Sequence, residues 1–164
     1  MSKVLIIGYG NPNREDDGVS WHILQKLATH FDAPLAPALA TDEFDPNRYP
    51  HLVFELQLMP EMSEPMANYD FVCFVDAHTG AYEEDVRVVP IAPAYQTSPF
   101  THHLTPESCL SLADTLYGHA PEGLMVSVRG YQFGYKTELS EQTAGLADEA
   151  VQKIVTWVEE KLVH

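Results

Sequence analysis

"KVLIIGYGNPNREDDGVSWHILQKLAT", residues 3–29, decides the fold. After Lys3 the run to Gly8 is continuously apolar and ends in glycine, the pattern of a strand buried on both faces of a parallel sheet. Val19, Ile23, Leu24 and Leu27 then recur at helical spacing, so a helix follows a turn rich in glycine and acids. That turn lies at the carboxyl end of the first strand, the edge where open α/β sheets place their sites.

Outward from this unit, strand and helix patterns alternate. "LVFELQL" (52–58), "DFVCFVDA" (70–77) and "GLMVSVRGY" (123–131) read as strands, the second as the clearest central one. "DVRVVPIA" (85–92) alternates and carries Pro90, which suits an edge strand that loses little by lacking a donor. "PEMSEPMANY" (60–69) reads as a short helix opened by Pro60. Residues 105–118 read as a helix capped by Thr105 with Pro106 at its first position and Gly118 at its end, and a long amphipathic helix opens at Ser140. Residues 32–50 are proline-rich and irregular, with room for a short strand or a helical turn. The alternation predicts a three-layer α/β/α architecture with a mainly parallel sheet of about five strands, built as one domain over residues 1–164.

Charge narrows the partners. Nine basic against 24 acidic side chains give a net charge of −15, which repels nucleic acid phosphates and anionic lipid, so neither a nucleic acid nor a membrane is an expected partner. The longest apolar runs are too short to span a bilayer and no signal segment precedes the first strand, so a cytoplasmic location is expected. Cys73 and Cys109 have no metal-site or disulfide spacing and read as small core residues.

The first turn resembles a phosphate cradle, but the third position of a Gly-x-Gly-x-x-Gly pattern is Asn13. Glu15, Asp16 and Asp17 would also crowd negative charge against any phosphate at the helix start. Helix capping accounts for one or two of these acids, and Asp16 fits that job or the orientation of Asp17. Asp76 closes the central strand at the same sheet edge, and His102 and His103 lie in a loop before the next helix. Two carboxylates and an imidazole from separate loops suit a borderline divalent metal. Among the remaining histidines, His78 is the most plausible accessory group.

Four stretches, "IIGYGNPNREDDGV", "FVCFVDA", "THHLTPESCLSLA" and "GYQFGYKTELS", together resemble the hydrogenase maturation endopeptidases, which trim the large subunit of nickel-iron hydrogenases. They occur in that family's order and spacing and cover most of the chain outside residues 31–56. The resemblance implies a twisted sheet of five strands with helices on both faces. It further implies a metal-binding set of Asp17, Asp76 and His102, with His103 as the alternative imidazole; in the turn itself, Asn11 and Asp16 read as the support of Asp17. The implied activity is removal of a C-terminal extension from a hydrogenase large-subunit precursor once nickel is installed. In that reading nickel is supplied by the substrate, and Asp17 and Asp76 are also the catalytic candidates. Two features depart from the family pattern: "ELQLMPEMSE" stands where a glycine-rich turn is common, and Asp17 stands where glutamate is frequent. A metal-independent pair of aspartates and a non-catalytic nickel-binding chaperone are the competing functions.

Overall fold

The computed structural model describes residues 1–95 and 104–163. Six strands form one sheet: β1 (Val4–Tyr9), β2 (Leu35–Ala36), β3 (His51–Glu55), β4 (Phe71–His78), β5 (Val86–Ile91) and β6 (Glu122–Arg129), in the order β2-β3-β1-β4-β6-β5. All neighbours pair parallel except β5, which runs antiparallel along the outer edge of β6 with Pro90 opposite Leu124. The sheet therefore has six strands instead of about five. The additional one, β2, is a two-residue pairing inside the proline-rich segment, too short to leave a period-2 pattern.

Helices α1 (Val19–Phe31) and α4 (Glu141–Leu162) cover one face, and α2 (Ser63–Met66) and α3 (Pro106–Tyr117) cover the other. The alternation within β1 divides the core. Val4 and Ile6 join Ile23, Leu27 and Ile154 on the first side, while Leu5 and Ile7 join Met66, Cys109 and Leu110 on the second. Burying both faces is what makes β1 a continuous apolar run. "PEMSEPMANY" is a 3-10 helix (Pro60–Met62) leading into the single turn of α2. Thr105 and Ser140 cap α3 and α4 by accepting from Ser108 N and Thr143 N. Both cysteines are free and buried.

The strand order determines where a site can form. The chain leaves β1 toward β2 and β3 on one side, then crosses to β4 on the other, so the order reverses between β1 and β4. At such a reversal the connections diverge and open a crevice at the carboxyl ends of the two strands.

Candidate active site

Tyr9 ends β1 and Asp76 lies near the end of β4, one register step beyond the pair Gly8 and Val75. After Tyr9 the chain must turn at once. Gly10 has φ 143°, and a Cβ there would collide with the Asp17 carbonyl, so the turn requires glycine. Asn11 then closes a local turn, its Oδ1 accepting from Asn13 N at 2.9 Å. The acids form a 3-10 helix, Glu15–Gly18, that feeds α1.

The three acids of that turn have three separate destinations. Asp17 is half-buried, and its Oδ2 accepts from Asn11 N at 2.9 Å. Glu15 sits at φ 46° and accepts from Gly134 N at 3.2 Å, while its own N–H donates to the Lys136 carbonyl at 2.8 Å. Asp16 is fully buried and accepts four hydrogen bonds, from Tyr131 N (2.8 Å), Gln132 N (2.9 Å), Ser140 N (2.7 Å) and Ser140 Oγ (2.7 Å). The expectation that Asp16 caps the helix or orients Asp17 is thus corrected, because its bonds cross more than a hundred residues to the segment between β6 and α4. Burial alone would raise its pKa; the bonds from Ser140, Tyr131 and Gln132 outweigh burial and hold it below the usual carboxylate range. Arg14 completes the junction, donating from Nη2 to the Phe133 carbonyl at 2.6 Å.

Asp76 has the opposite environment. Its Oδ2 accepts from the Tyr9 hydroxyl at 3.0 Å, whereas Oδ1 is buried and has no hydrogen-bond partner among the described residues. Ser127 is its register partner on β6, and its hydroxyl acts on the carboxyl without closing a hydrogen bond to Oδ1. Burial pushes the Asp76 carboxyl up to about 7; the Ser127 and Tyr9 hydroxyls draw it part of the way back, and the charges of Asp17 and Glu107 push it up again. Burial and the Asp76 charge also raise the Tyr9 phenol, so Tyr9 keeps its proton and donates.

Tyr9, Asn11, Asp17 and Asp76 line one cavity of about 240 Å³, closed on its apolar side by Leu56, Leu58 and Leu104. A slightly larger hollow, about 280 Å³, lies by Lys3, His51 and Tyr69 at the amino ends of the strands, but no carboxylate lines it. Of these two, only the smaller is lined by carboxylates, and both come from the crevice between β1 and β4. His102 and His103 lie outside the described residues, which resume at Leu104 on the cavity wall. Among the described residues no group of three or more His, Cys, Asp or Glu side chains is arranged to hold a metal ion. The two carboxylates alone are a pair of hard oxygen donors that would need a further ligand.

The other histidines among the described residues have structural partners. His78 accepts from Gly80 N through Nδ1 at 3.1 Å, which leaves Nε2 to donate to the Glu84 carbonyl at 3.1 Å, so it staples the turn after β4. His22 meets the Thr137 carbonyl, and His51 is buried between Phe44 and Tyr49. Tyr9 is the site residue that the linear pattern conceals: its position after the apolar run marks it as the end of a strand, but nothing local predicts a hydroxyl contact with a residue 67 positions away.

A three-layer α/β protein with paired aspartates in the crevice of its strand reversal is the class that fold and site define. No protein-family model and no curated protein matches the sequence. The fold matches the hydrogenase maturating endopeptidase HybD from E. coli at a TM-score of 0.61 and 19% identity, over 96% of this chain and 93% of that one. It matches the [NiFe] hydrogenase maturation protease HybD from Thermococcus kodakarensis at 0.62 and 14% identity, over 94% and 98% of the two chains. HycI from Thermococcus kodakarensis KOD1, also a [NiFe] hydrogenase maturation protease, matches at 0.60 and 20% identity, over 99% and 94%. The chain has the fold of the hydrogenase maturation endopeptidases along almost its whole length. No helix among the described residues is long and apolar enough to cross a membrane.

Proposed function

We propose that this protein is an endopeptidase that removes the C-terminal extension of a nickel-iron hydrogenase large-subunit precursor after nickel insertion. The observation that carries the reading is the meeting of Asp17 and Asp76 in one cavity at the β1/β4 reversal, within a fold whose solved examples are named hydrogenase maturation proteases. Nickel is part of the substrate in this reading. Asp17 and Asp76 offer oxygen ligands to it, His102 or His103 offers the nitrogen, and the scissile peptide bond is held beside them by proximity.

Two routes to an activated water fit. Asp76, with its carboxyl pushed up to about 7, is poised to take a proton near neutral pH. The substrate's nickel alternatively lowers the pKa of a bound water. The elevated Asp76 beside a second carboxylate also favours a rival reading, a metal-independent aspartate pair.

The test is incubation with a nickel-loaded, uncleaved large-subunit precursor and with its nickel-free counterpart. The expected result is a shortened product from the loaded form only. Equal cutting of both would favour the metal-independent pair. Tight nickel binding by the free protein with no product from any loaded precursor would overturn the protease reading in favour of a chaperone.

A further inference from the structure

We propose that Tyr9 is a positioning residue that engages Oδ2 of Asp76 and thereby assigns Oδ1 as the oxygen presented to the incoming cation or water. The proposal rests on the reading of Asp76 as a site ligand given above.

An aspartate side chain rotates about a broad, nearly two-fold torsion, so its two oxygens are interchangeable until something distinguishes them. Here the Tyr9 hydroxyl does so at 3.0 Å, while Oδ1 is left buried without a partner among the described residues. Buried polar atoms are nearly always satisfied, so a carboxylate oxygen left without a partner among the described residues, on a residue lining a cavity, has lone pairs open to a ligand. The hydroxyl is itself fixed. The Ser20 hydroxyl donates to the Tyr9 carbonyl at 2.6 Å, and the tyrosine packs partly buried against the core around Leu5, Ile7 and Phe74. Gly10, just after Tyr9, admits no side chain because a Cβ there would collide with the Asp17 carbonyl, and a Cβ on Gly8 would push the Leu24 side chain aside. The same backbone turn therefore places both Asp17 and the hydroxyl that orients Asp76.

The test is Tyr9→Phe, which keeps the ring and removes the hydroxyl. Four quantities are compared with the unmodified protein: cadmium affinity by calorimetry, the infrared carboxylate splitting of the cadmium-bound form, and kcat and KM on nickel-loaded precursor. The expected result is about a tenfold loss in cadmium affinity and a comparable rise in KM on the nickel-loaded precursor, as for loss of one hydrogen bond to a charged group. The carboxylate splitting should move from monodentate toward bidentate, a change that a merely structural role would not produce. In an Asp76→Asn background, Tyr9→Phe should have no further effect on cadmium affinity, because Tyr9 acts through Asp76. An equal loss in that background, or unchanged affinity and splitting in the single variant, would overturn the proposal. So would failure of the unmodified protein to bind cadmium. Should Tyr9→Phe melt early, Ser20→Ala, which releases the Tyr9 backbone without touching the hydroxyl, must show a smaller loss of the same kind; no loss would count against the proposal. Because the cadmium and infrared arms need no cleavage, they test Tyr9 even where the protease reading fails.

Discussion

Asp16 and Asp76 are aspartates of one sheet edge with opposite electrostatic states. Asp16 is fully buried, accepts four hydrogen bonds and is held below the usual carboxylate range. Asp76 is bonded at one oxygen, has no hydrogen-bond partner at the other among the described residues, and is pushed up to about 7. Burial opposes ionisation of both, and the supply of donors decides the outcome. A carboxylate whose lone pairs are already committed is a structural anchor. One that is desolvated and half-satisfied retains its capacity for a ligand or a proton.

The largest expected effect breaks the anchor. Asp16→Ala strands three backbone N–H groups and the Ser140 hydroxyl in a buried junction, and should lower unfolding stability by about 3–4 kcal/mol in urea titration. Asp76→Asn should do the reverse: precursor cleavage falls about a hundredfold or more while stability at pH 8 holds or rises by about 1 kcal/mol. An equal stability loss in the two variants would erase the contrast.

The pH dependence sharpens it. The folded Asp76 keeps its proton above the range in which an unfolded aspartate has lost its own. The folded state therefore binds more protons, and the Asp76 contribution to stability is lost as pH rises from the ordinary carboxyl range through about 7. Asp16 has the opposite sign, because its folded pKa is depressed: its contribution is present above the ordinary carboxyl range and lost as pH falls through the folded value. Chemical denaturation from pH 3 to pH 8 should show the high-pH decline abolished by Asp76→Asn and the acid decline reduced by Asp16→Ala.

Smaller changes refine the anchor. Ser140→Ala removes one of the four bonds to Asp16 together with the cap of α4, and should cost about 1–2 kcal/mol. Arg14→Lys loses the planar fork that reaches the Phe133 and Gly134 carbonyls, and should cost about 0.5–1 kcal/mol by thermal melting. Neither should alter cadmium affinity by more than about twofold if Asp16 acts on the junction and Asp76 on the ligand.

The strands and long helices were legible because their causes are local. Val4 to Ile7 form an unbroken apolar run since both faces of β1 are covered, Pro90 marks the edge strand, and Thr105 and Ser140 announce the starts of α3 and α4. Strand β2 was not legible, because two residues carry no period. Asp17 and Asp76 could be singled out by their places at strand ends, and the strand order then put them on one cavity.

What the sequence determined by itself is the layered α/β architecture and the concentration of acids at one sheet edge, since period, caps and strand-end positions are written within a few neighbouring residues. Which acid does what was decided only by the tertiary structure. Glu15, Asp16 and Asp17 are chemically near-equivalent in the string, and they separate only when the segment 131–140 folds back to give Asp16 its donors. The Tyr9 hydroxyl meets Asp76 only because β1 and β4 lie side by side. A carboxylate's pKa and its free oxygen depend on donors brought from distant parts of the chain, and such contacts leave no local pattern.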